Sequence, residues 1–348
     1  MSDRPLRVVQ WTTGNVGIRA ARAIVRSPLL ELIGCYAWSA DKVGRDVGEL
    51  VGIDPVGVVA TADVDALLAL EPDCVSYNPL WPDVDEMCSL LAAGVNVAST
   101  AAFITGRGLG EEAVARLEAA AHEGGATLFG TGINPGFANL FALLSTGICD
   151  RVDKVTVLES VDATGYASAE TQLSVGFAHD PDDPATREKT DRASIVFADA
   201  VALMGDALGL ELDDIGFEVE YARATRTMDL GFMTIPVGTV AGVDACRYGA
   251  VDGRRLIECR VRWKMGEHME PDWPLRHGYF VEIDGEPVVR SQLQIFPPAD
   301  WDEPDFMGLG MIMTAMPSVN AIPAVCAARP GLVTYRDLPL ITAAGFAG

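Results

Sequence analysis

The sequence predicts an α/β protein: an amino-terminal doubly wound parallel sheet followed by a second, α+β domain rich in antiparallel sheet. Three observations carry this. Residues 6–11 form a short apolar run that breaks at a Thr/Gly turn and continues as Val16, Ile18, Ala20, Ala21, Ile24 and Val25, a helical pattern ended by Pro28. Strand-like and helix-like segments then alternate to about residue 150, as a doubly wound sheet requires. Beyond it, strand-like segments follow one another, several with Gly-containing turns between them.

Taken in order, residues 32–38 read as a second strand, 57–60 as a short apolar run and 63–70 as a small helix. Asp73-Cys-Val-Ser-Tyr77 is a strand closed by Asn78-Pro79. Residues 83–93 are amphipathic, with Val84, Met87, Leu90 and Leu91 on one face. Residues 95–98 form a strand ended by Ser99-Thr100, 111–123 a helix, and 126–129 a strand that runs into Gly130-Thr-Gly-Ile-Asn-Pro-Gly136. In the second domain strands are expected at 155–161, 217–221, 240–249, 256–264, 278–283 and 288–295. Asp252-Gly253 and Asp284-Gly285 read as hairpin turns, and 193–208 as the best helix. His179-Asp-Pro-Asp-Asp-Pro-Ala-Thr-Arg187 reads as a polar surface loop. Residues 306–328 carry no charge, but Ser, Thr, Asn and Pro interrupt them, so they read as a buried loop and helix and not as a membrane span. The expected domains are 1–136, with about 306–348 packing back, and 137–305.

The turn after the first strand carries the chemistry. Thr12, Thr13, Gly14, Asn15, Val16 and Gly17 stand where a dinucleotide-binding βαβ unit has G-x-G-x-x-G. Thr12 occupies the first glycine position, and Gly14 and Gly17 fill the second and third. Backbone amides and a helix N-terminus there suit a pyrophosphate. This is the start of a Rossmann unit. An NAD site usually has Asp or Glu at the end of its second strand; here Ser39 stands in that place, with Lys42 and Arg45 following. A hydroxyl and two cations suit a ribose 2′-phosphate, so NADPH (NADP+) is expected, with Asp41 counting against it. Arg19 could add to the phosphate pocket. At the carboxyl ends of later strands, Asn78 and Thr100 are placed to contact nicotinamide or its ribose and Asn134 its carboxamide, although each could equally cap a helix.

Composition limits the alternatives. Among 348 residues, 49 are acidic and 26 basic, for a net charge of −23, a poor match to nucleic acid or an anionic membrane. The seven cysteines are scattered, with no C-x-x-C, as expected of buried thiols in a reducing cytoplasm. Met-Ser-Asp-Arg-Pro runs straight into the first strand, so no signal peptide is expected. The four histidines are dispersed and no cysteine cluster exists, so no metal is expected. No Gly-x-Ser-x-Gly elbow points to a hydrolase.

Gln10-Trp-Thr-Thr-Gly-Asn-Val-Gly17, Lys42-Val-Gly-Arg-Asp-Val-Gly-Glu-Leu50, Gly130-Thr-Gly-Ile-Asn-Pro-Gly-Phe137, Gly238-Thr-Val-Ala-Gly242 and Met316-Pro-Ser-Val-Asn-Ala-Ile-Pro323 stand out as a set. Over nearly the whole chain they resemble the dihydrodipicolinate-reductase-like group that contains 2,4-diaminopentanoate dehydrogenase and the native amine dehydrogenases, most of all its actinobacterial-type members. The resemblance implies a Rossmann domain, a sheet-rich substrate and dimerisation domain, a homodimer, NAD(P)H use, and reductive amination of a carbonyl or its reverse. The paired-His, Lys and Ser-Gly-Thr motif of dihydrodipicolinate reductase proper is missing, as is the Glu-Lys-Pro of sugar-type oxidoreductases. Amine-forming members place a glutamate just after the strand that here ends Ser99-Thr-Ala-Ala102. Ala101, counted with the cofactor-binding residues, and Ala102 have no proton to give.

Hydride addition to C=O or C=N still needs a proton or an electrostatic partner. Glu159, at the end of an apolar strand, and Tyr166 are the candidates. The expectation is a cytoplasmic NADPH-dependent oxidoreductase reducing C=O or C=N in a small or apolar substrate. The alternatives are an amine dehydrogenase with a relocated acid and a non-catalytic NADP-binding sensor.

Overall fold

Strand β1 (Leu6–Trp11) alternates its side chains across the sheet, with Val8 in one core cluster and Val9 and Trp11 in another. The computed structural model describes residues 4–303 and 306–346. Met1 to Asp3, over which no leader was expected, lie outside the described residues, as do the boundary positions 304–305 and 347–348. The chain divides into two units, Met1–Phe137 with Gly308–Gly348, and Ala138–Met307.

In the first unit β1 leads to α1 (Asn15–Arg26), whose alanines and Ile24 are buried. The helix stops at Ser27, held extended (ψ 128) as the residue before Pro28. Next come β2 (Leu30–Tyr36), α2 (Val47–Val51), β3 (Ala60–Thr61), α3 (Val64–Leu68), β4 (Cys74–Tyr77), α4 (Val84–Ala92), β5 (Asn96–Ser99), α5 (Glu111–Gly124) and β6 (Thr127–Gly130). Asp46, Asp63 and Asp83 cap α2, α3 and α4 by accepting amide hydrogen bonds.

The second unit holds α6 (Ala138–Thr146), β7 (Arg151–Asp162), α7 (Ala169–Ser174), α8 (Pro184–Ala193), α9 (Ile195–Leu208) and β8 (Asp214–Ala224). After the short β9 (Met228–Asp229) and β10 (Thr234–Ile235) come β11 (Val240–Val251), β12 (Arg254–Lys264), β13 (Met269–Glu270), β14 (Gly278–Glu286) and β15 (Val289–Leu293). The chain returns to the first unit with α10 (Met307–Cys326) and β16 (Gly331–Val333).

The first sheet is parallel throughout, in the order β16-β6-β5-β4-β1-β2-β3. Helices α4 and α5 cover the side that carries Val9, Trp11, Val75, Tyr77 and Leu128. Helices α1 and α10 cover the other, where Ala315, Val319 and Ile322 meet Val8, Ile24 and Ala98. Strand β1 is flanked by β4 and β2, which places three strand tips side by side at the carboxyl edge.

The second sheet runs β13-β8-β11-β12-β7-β14-β15, antiparallel except for the β12–β7 pair. One face meets helices: Asn139 of α6 donates to Cys259 Sγ at 3.4 Å and to Met204 Sδ of α9 at 3.5 Å. The opposite face carries charge. Asp244, 3% exposed, accepts from Arg260 at 2.7 Å and Arg262 at 2.6 Å. Glu218 binds Arg255 and Arg260, each at 2.8 Å.

Three expectations are corrected. Asp284-Gly285 is no hairpin turn: both residues lie inside β14, where the register slips, and the turn falls at 287–288. A side chain on Gly285 would stand 2.0 Å from the Arg151 carbonyl oxygen, so the glycine serves a bulge against β7. The polar segment 179–187 is not all loop. Asp183 caps α8 and Pro184 begins it, where a missing amide costs nothing. Finally, 306–328 is one helix, not a loop and a helix. Pro317 and Pro323 lie inside α10 and each removes one backbone hydrogen bond, while Ala315, Val319, Ile322 and Val325 are held in the core. By length and composition α10 could cross a membrane, yet here it packs as a core helix of the first unit.

Removing the carboxylate in Asp244→Ala leaves two arginines without their shared partner. Urea denaturation should show a loss of about 3 kcal/mol; a loss under about 1 kcal/mol would mean that water replaces the pair.

Candidate functional site

The turn after β1 is built around one carbonyl. Thr12 leaves the strand at φ 68, a conformation rare for a β-branched residue. Its amide donates to Tyr36 O at 3.0 Å, and its carbonyl accepts from Gln10 Nε2 at 2.9 Å. A side chain on Gly17 would lie 2.3 Å from that carbonyl oxygen, so only glycine lets α1 begin here. One on Gly14 would meet nothing within 4 Å, so the outer side of the turn is open. Gly14 caps α1 without a side chain, and no acid lies in the first turn. Asn15 is exposed and Val16 half-buried. The first amides of α1 therefore have no intrahelical acceptor and form a cradle for an anion.

A cation is fastened to this cradle. Ser39 O accepts the Lys42 and Val43 amides, which curls the segment after β2 back on itself. Lys42 Nζ then donates to Thr13 O at 3.0 Å. Thr13 is buried, and its hydroxyl has no partner among the described residues. Arg45 is exposed and Arg19 half-buried. Trp38, 75% exposed, and Trp81 follow the two strands that flank β1.

Across the remaining tips runs a neutral polar chain. Gln10 Nε2 donates to Asn78 Oδ1 at 2.8 Å, Ser76 Oγ donates to the same oxygen at 3.0 Å, and Asn78 Nδ2 donates to Thr100 Oγ1 at 2.8 Å. Ala101 is fully buried and its amide donates to Ser99 Oγ at 3.0 Å. Asn134 is extended (φ −155) ahead of a cis bond to Pro135. Beside it Thr131 Oγ1 and Tyr335 Oη share a hydrogen bond of 2.5 Å, and burial pushes the Tyr335 phenol up to about 12.

The two proposed acids lie in the second unit. Glu159, half-buried in β7, pairs across the sheet with Tyr279 and Val261, and its Oε1 accepts from Trp263 Nε1 at 3.0 Å. Burial, with Glu159 as the adjoining charge, holds the Tyr279 phenol well above its ordinary value. Tyr166 follows a short turn after β7; burial raises its phenol and a hydrogen bond with Thr171 lowers it less. Among the described residues no group of three or more His, Cys, Asp or Glu side chains could hold a metal.

Thr12 to Gly17, Arg19, Ser39, Lys42, Arg45, Asn78, Thr100, Ala101 and Asn134 all belong to the first unit, at or beside the carboxyl ends of β1, β2, β4, β5 and β6. Glu159 and Tyr166 belong to the second. Gln10 and Ser76 carry no role in the sequence reading, yet both are fully buried polar residues in strands. Their only signal was polarity within an apolar run.

The family of the 2,4-diaminopentanoate dehydrogenase C-terminal domain matches residues 138–346. An amine dehydrogenase of Streptomyces virginiae is 30% identical, with 99% of each chain covered. A 2,4-diaminopentanoate dehydrogenase of Acetoanaerobium sticklandii is 28% identical over 74% of this chain and 70% of its own. Among solved structures, an amine dehydrogenase from Mycobacterium smegmatis superposes with a TM-score of 0.78 at 22% identity, covering 99% of this chain and 98% of that one.

A Gly17→Ala variant has to move either α1 or Thr12. We expect a stability loss of about 1–3 kcal/mol by chemical denaturation. Unchanged stability would show that the turn yields freely.

Proposed function

The chain belongs to the 2,4-diaminopentanoate dehydrogenase family and is an NAD(P)H-dependent oxidoreductase acting on C=N or C=O bonds of small molecules, and from this we propose that it uses NADPH, works as a cytoplasmic homodimer, and takes its proton from Glu159. The observation that carries the cofactor reading is the open cradle at Gly14–Gly17 with Lys42 fastened across it. When bound, the cofactor supplies the hydride. The chain's own residues do the rest. The first amides of α1 hold the pyrophosphate, and Ser39, Lys42 and Arg45 hold the ribose 2′-phosphate. Asn78 and Thr100 hold the nicotinamide riboside, and Asn134 its carboxamide.

Glu159 is preferred over Tyr166 as the proton donor. A phenol raised by burial keeps its proton through neutral pH, and so serves as a hydrogen-bond donor and not as an acid. The Glu159 carboxyl is oriented by the Trp263 indole at 3.0 Å. Ala101 offers only a buried methyl where amine-forming relatives are expected to have a glutamate, so amine formation requires a relocated acid.

A panel of aldehydes and ketones, with and without ammonium, separates these readings. Turnover that requires ammonium marks an amine dehydrogenase, and turnover without it a carbonyl reductase. Arg45→Ala should weaken NADPH about tenfold and NADH less than about twofold by fluorescence titration; equal losses would remove the NADPH assignment. Glu159→Gln should lower kcat about a hundredfold or more with the NADPH Kd unchanged. A kcat within about threefold of the parent would reject Glu159 as the donor.

A further inference from the structure

The polar chain at the strand tips has a direction, and its hydrogens can be assigned. Three oxygens surround Gln10 Nε2: Thr12 O at 2.9 Å, Asn78 Oδ1 at 2.8 Å and Trp11 O at 3.3 Å. Only the amide NH2 can face them, so the orientation of Gln10 follows from its surroundings. Asn78 Oδ1 then accepts from Gln10 and from the Ser76 hydroxyl, and Asn78 Nδ2 must turn to Thr100 Oγ1. Thr100 Oγ1 is thereby an acceptor within the chain, and its own hydrogen has no acceptor among the described residues. That hydroxyl belongs to a half-buried residue at the tip of β5.

The sheet order says what meets it. The cations at 42 and 45 follow β2, on one side of the β1 cradle, while β4 and then β5 lie on the other. A dinucleotide with its pyrophosphate on the cradle and its adenosine beside β2 extends its nicotinamide riboside toward β4 and β5. We propose that Gln10 is a positioning residue which, through Asn78, presents the Thr100 hydroxyl as a donor to an oxygen of the cofactor's nicotinamide riboside. This rests on the cofactor reading above and adds to it a residue that never touches the ligand. Gln10 also holds the Thr12 carbonyl, so one buried amide serves both the cradle and the riboside contact.

The experiment compares NADPH with adenosine 2′-phosphate 5′-diphosphate, which lacks the riboside, by calorimetric titration. Thr100→Val should weaken NADPH about three- to tenfold and change the fragment by less than about twofold. Gln10→Leu also releases the Thr12 carbonyl at the cradle, so its readout is the NADPH-to-fragment affinity ratio, which should fall about three- to tenfold. Thr100→Ser should bind like the parent. The double variant should show the same NADPH-to-fragment ratio as Thr100→Val, because Gln10 reaches the riboside through Thr100. If Gln10→Leu does not fold, the near-isosteric Asn78→Asp replaces it. Its two acceptor oxygens would turn the Thr100 hydroxyl inward, and the NADPH-to-fragment affinity ratio should fall by the same factor. Additive falls of that ratio in the double variant, an unchanged ratio in either single variant, or NADPH affinities that match the parent overturn the assignment. A parent protein that takes up neither nucleotide overturns the cofactor reading itself, which is a separable result.

Discussion

The carbonyl oxygen of Thr12 stands where the first turn of α1 has to begin, and the carboxyl edge of the first unit is arranged around that approach. Three features meet at this atom: the missing side chain of Gly17, the amide of Gln10, and the positive φ of Thr12 itself. A β-branched residue in the left-handed region costs on the order of 1–2 kcal/mol. Hydrogen bonds to Gln10 and Tyr36, each worth about 1 kcal/mol, offset that cost. The strained residue persists because its neighbours hold it. The same arrangement turns the outer side of the loop toward solvent, with amides ready for phosphate and Lys42 tied to the carbonyl of Thr13.

This local chemistry runs against the field of the whole chain. A net charge of −23 repels phosphates at long range. What the carboxyl edge offers against that field is short-range: backbone amides, one fastened lysine and neutral side chains. The second unit handles charge differently. Asp244 and Glu218 are paired with Arg255, Arg260 and Arg262 on the sheet face opposite α6 and α9, while Glu159 lies among Trp263, Tyr279 and Val261.

How much of this could be read from the sequence follows from what each pattern encodes. The parallel sheet was legible because strand, turn and helix alternate with periods of two and 3.6, and Gly14 and Gly17 mark a turn. The hairpin at Asp252-Gly253 was legible because positive φ at both positions (50 and 71) is what that pair permits. The pair Asp284-Gly285 looks the same locally, yet a glycine can serve a turn or a bulge, and only the Arg151 carbonyl packed against it decides. In α8 the capping signal, Asp183 then Pro184, was present but lay within a run of acids and prolines that reads as loop. In α10 propensity argued for a break at each proline, and burial of one face against Val8, Ile24 and Ala98 outweighed two lost backbone bonds. The role of Gln10 depends on Asn78 lying at the end of the neighbouring strand, a contact that no local pattern contains, whereas Ser76 reaches Asn78 from two residues back on the same strand.

The chemistry at the strand tips of the first unit narrows where acid–base work can occur. Asn78, Thr100, Thr131 and Asn134 are neutral at every physiological pH, and Ala101 has nothing to ionise. Burial pushes Tyr335 up to about 12, and Tyr77, which donates to Glu86 at 2.6 Å, is raised further, so both phenols keep their protons. Glu86 is itself raised by burial and spends its oxygen on Tyr77. These side chains therefore supply hydrogen bonds and not exchangeable protons near neutral pH. Ala101 is fully buried and its amide is taken by Ser99 Oγ, so the fold of this edge makes no demand for an ionisable side chain there.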